Sequence, residues 1–405
     1  MSAQADNPGR EGPLKGIRVL DFSRVIAGPL CTQQLADMGA EVIKIENPQT
    51  GDDTRRMAHP GVDGESHFFL AFNRSKQSLA LDVRRSEGRA IARRLAAESD
   101  VLVQNFRPGV MARLGLDYAS LARDNPGLVY LSISAYGQEG AQAHRPGFDP
   151  VMQAESGMMA QSGEPDGPPL RHPLSIIDTL TALQGYGAVC AALYGRRGHG
   201  RGCHIDLSLM DTAVAALGNL GLYALCEGTP PARTGNAHST ATPVSLFETQ
   251  SGPIYLATAT DRLFGVLCRD VLQRPELSED PRFVDSAARL RNRPALLALL
   301  QEIFLSAPRE VWLERMRDLP AGAVRSIEEC LADPDLLARG MVQQIERSGG
   351  SPVPTLRQPA RFDDGAPFAP TPPPRLGEHT DALLTGLAGL TPEEIGRLRE
   401  DGTVR

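Results

Sequence analysis

The constraint that decides most about this chain lies in its first forty-odd residues. Gly16–Phe22 (GIRVLDF) is a β-rich run that ends in a loop over Ser23–Gly28. Pro29 suits the first position of a helix, because its missing N–H would have no intrahelical partner there. That helix runs to Met38 and is stopped by Gly39, and Glu41–Ile45 (EVIKI) is the next strand. A strand, helix and strand packed into so few residues form a βαβ unit, whose strands are parallel and whose crossover is right-handed. The alternation then repeats: a strand at Gln77–Leu81, an amphipathic helix over Ser86–Ala97, a strand at Asp100–Gln104, a short helix after Pro108 and a strand at Leu128–Ser134. The pattern predicts an α/β protein with a Rossmann-like parallel sheet and ligands at the carboxyl ends of its strands.

Further on, Thr179–Leu193 is the most strongly helical stretch. GRRGHGRG then turns the chain into a strand over His204–Leu209, and a helix starts near Met210. Pro230–Pro231 breaks it, and the character changes to a turn-rich start, a hairpin around Thr249–Leu256 and several helices with Arg-rich faces. These signals divide the chain into a flexible tail (1–13), a large α/β domain (14–210) completed by the C-terminal segment 376–405, a linker helix (211–229), a smaller α+β domain (230–330) and an extended connector (331–375). The end, Asp381–Arg399, reads as helix with a break at Thr391–Pro392.

Charge and cysteine usage narrow the function. A net charge of -7, spread along the chain, argues against nucleic acid as a partner. The six cysteines form no CxxC pair and read as reduced, mostly buried thiols; the histidines have no metal-ligand spacing. No signal peptide and no uninterrupted membrane-spanning apolar run are read, so a cytoplasmic enzyme without membrane partners is expected.

Three features bear on chemistry. GRRGHGRG lacks the Lys-Ser/Thr of a P-loop and follows a helix, so it reads as a basic surface turn. The Val25–Pro29 loop is placed where backbone N–H groups can meet a ligand, but it lacks GxGxxG, which speaks against nicotinamide binding; on composition alone a structural role is equally open. Asp178, in SIIDTLTALQGYG, precedes the helix and by itself reads first as an N-cap. A second role is compatible with that: helix donors would lower its pKa and keep it ionised, and a carboxylate can attack a thioester to give a mixed anhydride.

From about Leu14 to Asp381 the chain resembles the class III CoA-transferases, the group of formyl-CoA transferase, carnitine CoA-transferase and the 2-methylacyl-CoA racemases. The resemblance is carried by LKGIRVLDFSRVIAGPLCTQQLADMGAEVIKIENPQTGDDTR, FNRSKQSLALD, SDVLVQNFRPGVMARLGLDY, RPGFDPVMQAESGMM, the Asp178 helix, GRGCHIDLSLMDTA and LGEHTD, in order. It implies Asp178 as the catalytic aspartate. It also implies coenzyme A bound by Ile26, Ala27, Asn47, Leu81, Arg84, Asn105, Phe106, Arg107, Arg113, Pro146, Gly147, Phe148 and Asp149 in the large domain. Arg84, Arg107 and Arg113 suit phosphates, while Phe106 and Leu81 offer apolar surface. The family further implies an interlocked homodimer, acyl-CoA and a small carboxylic acid as substrates, and no tightly bound cofactor or metal.

Departures from the family pattern bear on the substrate. Ile26 stands where formyl-CoA transferase has Gln, and its tetraglycine flap is missing, so oxalate and formyl-CoA are poor guesses. Phe148 stands where the racemases carry His, and a phenyl ring cannot move a proton, which favours transfer over racemisation. The expected reaction moves coenzyme A from an acyl-CoA, with succinyl-CoA a common donor in the family, to an organic acid through an aspartyl anhydride and an aspartyl-CoA thioester. A racemase and a non-catalytic acyl-CoA-binding protein are the alternatives. Arg55, Arg145 and Arg171 are candidate partners for a substrate carboxylate, with ordinary salt bridges equally open.

Overall fold

A computed structural model describes residues 12–57, 60–362 and 370–405. Most of the expected tail and part of the expected connector lie outside these residues. The described chain forms two compact units. One is built from the N-terminal part up to Ser156, Pro173–Ala216 and Asp335–Arg405; the other from Gly157–His172 and Leu217–Pro334.

The first unit carries a six-stranded sheet, β1 (Arg18–Asp21), β2 (Glu41–Glu46), β3 (Lys76–Ala80), β4 (Val101–Gln104), β5 (Val129–Ser134) and β6 (Cys203–Ser208). Its spatial order is β3-β2-β1-β4-β5-β6 and every pairing is parallel. This is the doubly wound order, in which the chain leaves β1 toward one edge and returns to build the other. The gap between β1 and β4 is therefore a switch point where loops part and leave room for a ligand. Helices α1 (Ala27–Asp37) and α2 (Ser86–Ala97) make two of the crossovers. The latter shows an apolar stripe of Ile91, Ala92, Leu95 and Ala96, all buried in a core shared with Leu20, Ile43, Leu79 and Leu102. The C-terminal segment closes this core: Leu383, Leu384, Ile395, Leu398 and Val404 enter it, and Asp82 N–H donates to Thr403 O at 2.8 Å.

The chain then passes through the short helix α3 (Asp149–Glu155) to the long helix α4 (Ile176–His199). Helix α4 is one turn longer at its start than its pattern suggested, and it absorbs the first residues of GRRGHGRG. Arg196, Arg197 and His199 form its last turn, where cations suit the dipole, and Gly200 ends it at φ 70°. Gly202 then lies against Leu128 O, closer than any Cβ would allow. The glycines thus serve the helix end and a tight approach to the sheet. Contrary to the sequence reading, α4 is long and apolar enough by length and composition to cross a bilayer. Ile177, Ala182, Gly185, Val189 and Leu193 form its buried face, and α1 is its main packing partner.

The second unit is α+β, with a three-stranded antiparallel sheet ordered Ala321–Ala323, Ile254–Ala257, Val244–Phe247. The hairpin foreseen around Thr249–Leu256 is present, with its turn at Thr249–Gly252. Phe247, Phe264, Phe283, Leu296, Phe304 and Trp312 form the core beneath it. Arg289, on one of the Arg-rich helices, is fully buried: it pairs with Asp261 at 2.7 Å and donates to the carbonyls of Thr242, Phe283 and Ala259. The stretch read as an extended connector holds a short helix, Pro334–Ala338, and a hairpin of Val342–Ile345 with Val353–Leu356. The 211–229 segment is two helices, Leu209–Ala216 and Gly218–Glu227, rather than one. All six cysteines are free, but only Cys31 and Cys268 are buried; Cys203 and Cys226 are exposed.

Candidate active site

Around the end of β1 the chain buries charges that an ordinary α/β core would not: Asp21 closes β1, Lys44 lies in β2, Asp52 follows it and Lys76 opens β3. Asp21, Lys44, Asp52 and Lys76 are each almost wholly enclosed. Asp21 accepts from the Ser23 N–H at 2.9 Å, from the Ser23 and Thr32 hydroxyls, and from Lys76 Nζ at 3.1 Å. Lys44 pairs with Asp52 at 2.9 Å and donates to Ser23 O at 2.8 Å. Burial raises the Asp21 pKa, but Lys76, Lys44 and the Ser23 and Thr32 hydrogen bonds together more than offset it and hold it below the usual carboxylate value. Lys76 is pushed down to about 8, because burial and the like charge of Lys44 outweigh the attraction of Asp21. Burying such charges is tolerable only when they are paired and hydrogen-bonded. What they hold is the loop that follows β1.

That loop is strained. Val25 is a β-branched residue at φ 73°, a conformation such residues rarely adopt, and its N–H donates to Asp52 at 3.3 Å. Gly28 lies so close to Ser23 that a Cβ would overlap the serine side chain. Across the switch point, Asn105 clasps the same loop: its Oδ1 accepts from Arg24 N–H at 2.8 Å and its Nδ2 donates to Arg24 O at 2.7 Å. Asn105 was expected as a ligand contact; its amide is already engaged in joining the loops after β1 and β4.

Two clefts open here. The first, of about 360 Å³, is walled by Ile26 and Ala27 after β1, Asn105–Pro108 after β4, Ser134 and Ala135 after β5, Arg145–Phe148, and Asp178. The second, of about 250 Å³, lies beyond the ends of β2 and β3 and is lined by Asn47, Leu81 and Arg84 among others. Arg24 and Phe106 line both, with the guanidinium 5.0 Å from the ring centre. Phe106 is placed by a relay: its N–H donates to Gln104 Oε1 at 2.8 Å, Gln104 Nε2 to Ser132 at 2.9 Å, and Ser132 meets His204 at 2.9 Å.

The structure thus gathers most of the expected residues around these clefts, but not all. Arg113, exposed on Val110–Leu114, lines neither cleft. Asp149 is buried behind the wall rather than on it. Arg84 reaches the second cleft already held by Asp82, at 2.9 Å through two of its nitrogens. Asn47 uses its Oδ1 to cap its own turn at Gln49 and Thr50. Among the carboxylate candidates, Arg55 is engaged by both oxygens of Glu46 at 2.7 Å, and Arg171 is exposed in the other unit. Arg145 does line the first cleft, stacked on Tyr136 and paired with Glu155 at 2.6 Å. Val25, from the loop expected to meet a ligand, lines it too, and so do Arg24 and Asp53, which were not foreseen. Only their closeness to Ile26 and Ala27, or to the acidic end of GDDTR, could have signalled them.

Asp178 corrects the sequence reading most. Ser175 is the N-cap, and Asp178 stands inside the first turn of α4. The donors expected for Asp178 go elsewhere: Ile177 N–H and Asp178 N–H both donate to Asp149 Oδ2, at 2.7 and 3.2 Å. Its pKa is consequently not lowered. Burial, and then the charge of Asp149, push it up to about 7. A carboxylate of raised basicity, facing a cleft at the switch point of a parallel sheet, is poised as a nucleophile or a base.

Proteins of known sequence and structure share this architecture. A family model described as CoA-transferase family III matches residues 14–380. A succinate–glutarate CoA-transferase of Agrobacterium fabrum is 38% identical over 94% of this chain and 97% of its own length. An acetyl-CoA:oxalate CoA-transferase of Acetobacter aceti is 40% identical over 85% and 88%. The crystal structure of a CAIB/BAIF family protein from Brucella suis superposes with a TM-score of 0.83 at 39% identity, covering 93% of this chain and 99% of that one. Matches of this extent account for both units together: the chain belongs to CoA-transferase family III and is an enzyme that passes coenzyme A from an acyl-CoA to a carboxylate.

Proposed function

We propose that Asp178 carries the acyl group, and that the enzyme takes coenzyme A from succinyl-CoA to a small dicarboxylic acid. The observation that carries the mechanism is the position of Asp178 on the wall of the switch-point cleft with its pKa raised to about 7. Asp178 Oδ attacks the thioester carbonyl and expels the CoA thiolate, leaving an acyl–aspartyl anhydride. The thiolate attacks the Asp178 carbonyl of that anhydride, which releases the donor as a carboxylate and forms an aspartyl-CoA thioester. An acceptor carboxylate attacks that thioester, and the thiolate freed again takes the acceptor acyl group and restores Asp178. No proton is consumed overall. Each step exchanges acyl bonds of similar energy, so the protein has to stabilise oxyanions and keep water from the anhydride.

Coenzyme A lies in this reading across both clefts, with Ile26, Ala27, Phe106, Arg107 and Pro146–Phe148 near its reactive end and Asn47, Leu81 and Arg84 near its nucleotide. Arg145 is positioned to meet the far carboxylate of a dicarboxylic acid. Relatives named for glutarate and oxalate support that substrate class, and the second returns oxalate to the acceptors to be tried despite Ile26. Phe148 stands 67% exposed at the cleft and offers no proton, which supports transfer over racemisation. The reading keeps the cytoplasm as the place of work, in line with six unpaired thiols.

Two measurements test this. Incubation with succinyl-CoA followed by hydroxylamine is expected to inactivate the enzyme and to leave the mass change on Asp178; modification elsewhere, or none, would count against the covalent route. In exchange assays read by mass spectrometry, glutarate, oxalate and mesaconate should exceed monocarboxylates of equal length by about tenfold or more. An inverted ranking removes the dicarboxylate assignment.

We also infer a homodimer. Leu183 and Tyr194 on α4, together with Val214, leave 46%, 78% and 52% of their surface uncovered, which a second copy of the chain would bury. Sedimentation equilibrium at micromolar concentration should give twice the chain mass; a species of single chain mass would refute it.

A further inference from the structure

The geometry points to Asp149 as the positioning residue of the reaction: it takes the helix donors that Asp178 would otherwise accept, and so leaves the Asp178 carboxylate free toward the cleft. This deepens the covalent reading of Asp178 and rests on it. It differs from the ligand contact expected of Asp149, because that side chain is 2% exposed and lies off the cleft wall.

The first N–H groups of a helix need acceptors, and a carboxylate in the first turn ordinarily supplies one. Asp178 occupies that turn, yet the acceptor is Asp149 from α3, 29 residues earlier, whose Oδ2 receives Ile177 N–H at 2.7 Å and Asp178 N–H at 3.2 Å. Asp149 is itself fixed. Its Oδ1 accepts from Gln153 Nε2 at 2.6 Å, one turn along α3, and Gln153, fully buried, also reaches Leu174 O at 3.4 Å just ahead of α4. One buried carboxylate thus clamps two helix starts. Among the described residues, no helix N–H donates to the Asp178 side chain.

Two consequences follow for the chemistry. The Asp178 peptide is held at its own N–H, which fixes the direction of Cβ into the cleft. A like charge stands beside the reacting carboxylate, and it favours the neutral, less charged states, including the acylated ones. The other charged groups around are Arg24, Asp53, Arg107 and Arg145 on the cleft wall, Glu155 on α3 and Asp211 on the following helix. Arg24 is tied to Asp53 and Arg145 to Glu155. None of these is a principal influence on Asp178; burial and Asp149 are.

The test compares Asp149→Asn, Asp149→Ala and Gln153→Ala with the parent, using succinyl-CoA. Asp149→Asn keeps an oxygen for the two N–H groups but removes the charge. It is expected to move the acid limb of kcat/KM to lower pH by about one unit, with KM for the acyl-CoA within about threefold. Asp149→Ala loses cap and charge, and kcat should fall about 10- to 100-fold at unchanged KM. Gln153→Ala keeps the charge and loosens its aim: kcat falls, and the acid limb stays. Should either Asp149 variant fail to fold, Gln153→Ala and the remaining one still decide. An acid limb that stays put in Asp149→Asn, or a loss expressed in KM alone, overturns the positioning role. Hydroxylamine mapping in the parent separates this from the reading beneath it. Label on Asp178 with indifferent Asp149 variants refutes only the positioning role; label elsewhere refutes both.

Discussion

Asp178→Asn is expected to abolish coenzyme A exchange, by at least about 10³-fold, while giving a protein that resists heat better than the parent at pH 8. The loss follows because an amide oxygen cannot form the anhydride, and the other carboxylate on the described cleft wall, Asp53, is tied to Arg24. The gain follows from the sign of the pKa shift. Burial and Asp149 hold the folded-state pKa near 7, above the ordinary carboxylate value, so folding favours the protonated form. Above pH 7 the native protein must carry a charge it disfavours, and a neutral amide relieves this by on the order of 2 kcal/mol, or several degrees of Tm at most. As pH falls through 7 toward 4 the native carboxyl takes up its proton, and the advantage of the variant should close. Thermal melts of both proteins at pH 8 and pH 5 measure this directly. A variant less stable than the parent at pH 8 would mean that Asp178 is an ordinary structural cap. The same titration predicts that parent activity rises about tenfold per unit up to pH 7 and then levels off, as the ionised nucleophile accumulates.

The second large effect concerns the support beneath the loop. Asp21→Ala should cost about 3–5 kcal/mol of stability, read as a lower urea midpoint at unchanged slope. Asp21 collects four donors at 0% exposure. Without it Lys76 keeps only Pro29 O and the Asn73 side chain as hydrogen-bond partners and loses the counter-ion it pairs with. Ser23 loses the anchor that shapes the strained turn at Val25, so binding of coenzyme A should weaken along with stability. The double change Asp21→Ala with Lys76→Met should recover much of the loss, since two apolar groups leave no uncompensated charge. A single-variant loss below about 1 kcal/mol, or strict additivity in the double, would show that the network does not bear on the loop.

Much of this protein is legible in its residues one by one. EVIKIE and VYLSIS at short intervals around amphipathic helices demand parallel strands, because the connections are too long for hairpins and just long enough for helical crossovers. The same reasoning placed the Ser86–Ala97 helix at its observed ends. Motif order was enough to single out Asp178 and the loops that wall its cleft. The reading strained where helices met turns: GRRGHGRG looks like a loop because its glycines do, yet packing carries α4 through His199.

What residue order alone determined, then, was the sheet and its direction, which rest on local periodicity, and the candidacy of Asp178, which rests on the family resemblance of the motifs around it. The tertiary structure decided which groups meet. Lys44 and Glu46 alternate with apolar neighbours as a half-exposed strand would, yet both faces of β2 are covered and the charges pair inside. Asn105 clasps Arg24 across 81 positions, and Asp149 takes the donors of α4 across 28 and 29. A pKa depends on burial and on the nearest charge, and both are properties of distance in space; no spacing along the chain could have shown that Asp178 would be raised where its helix position alone implied lowering.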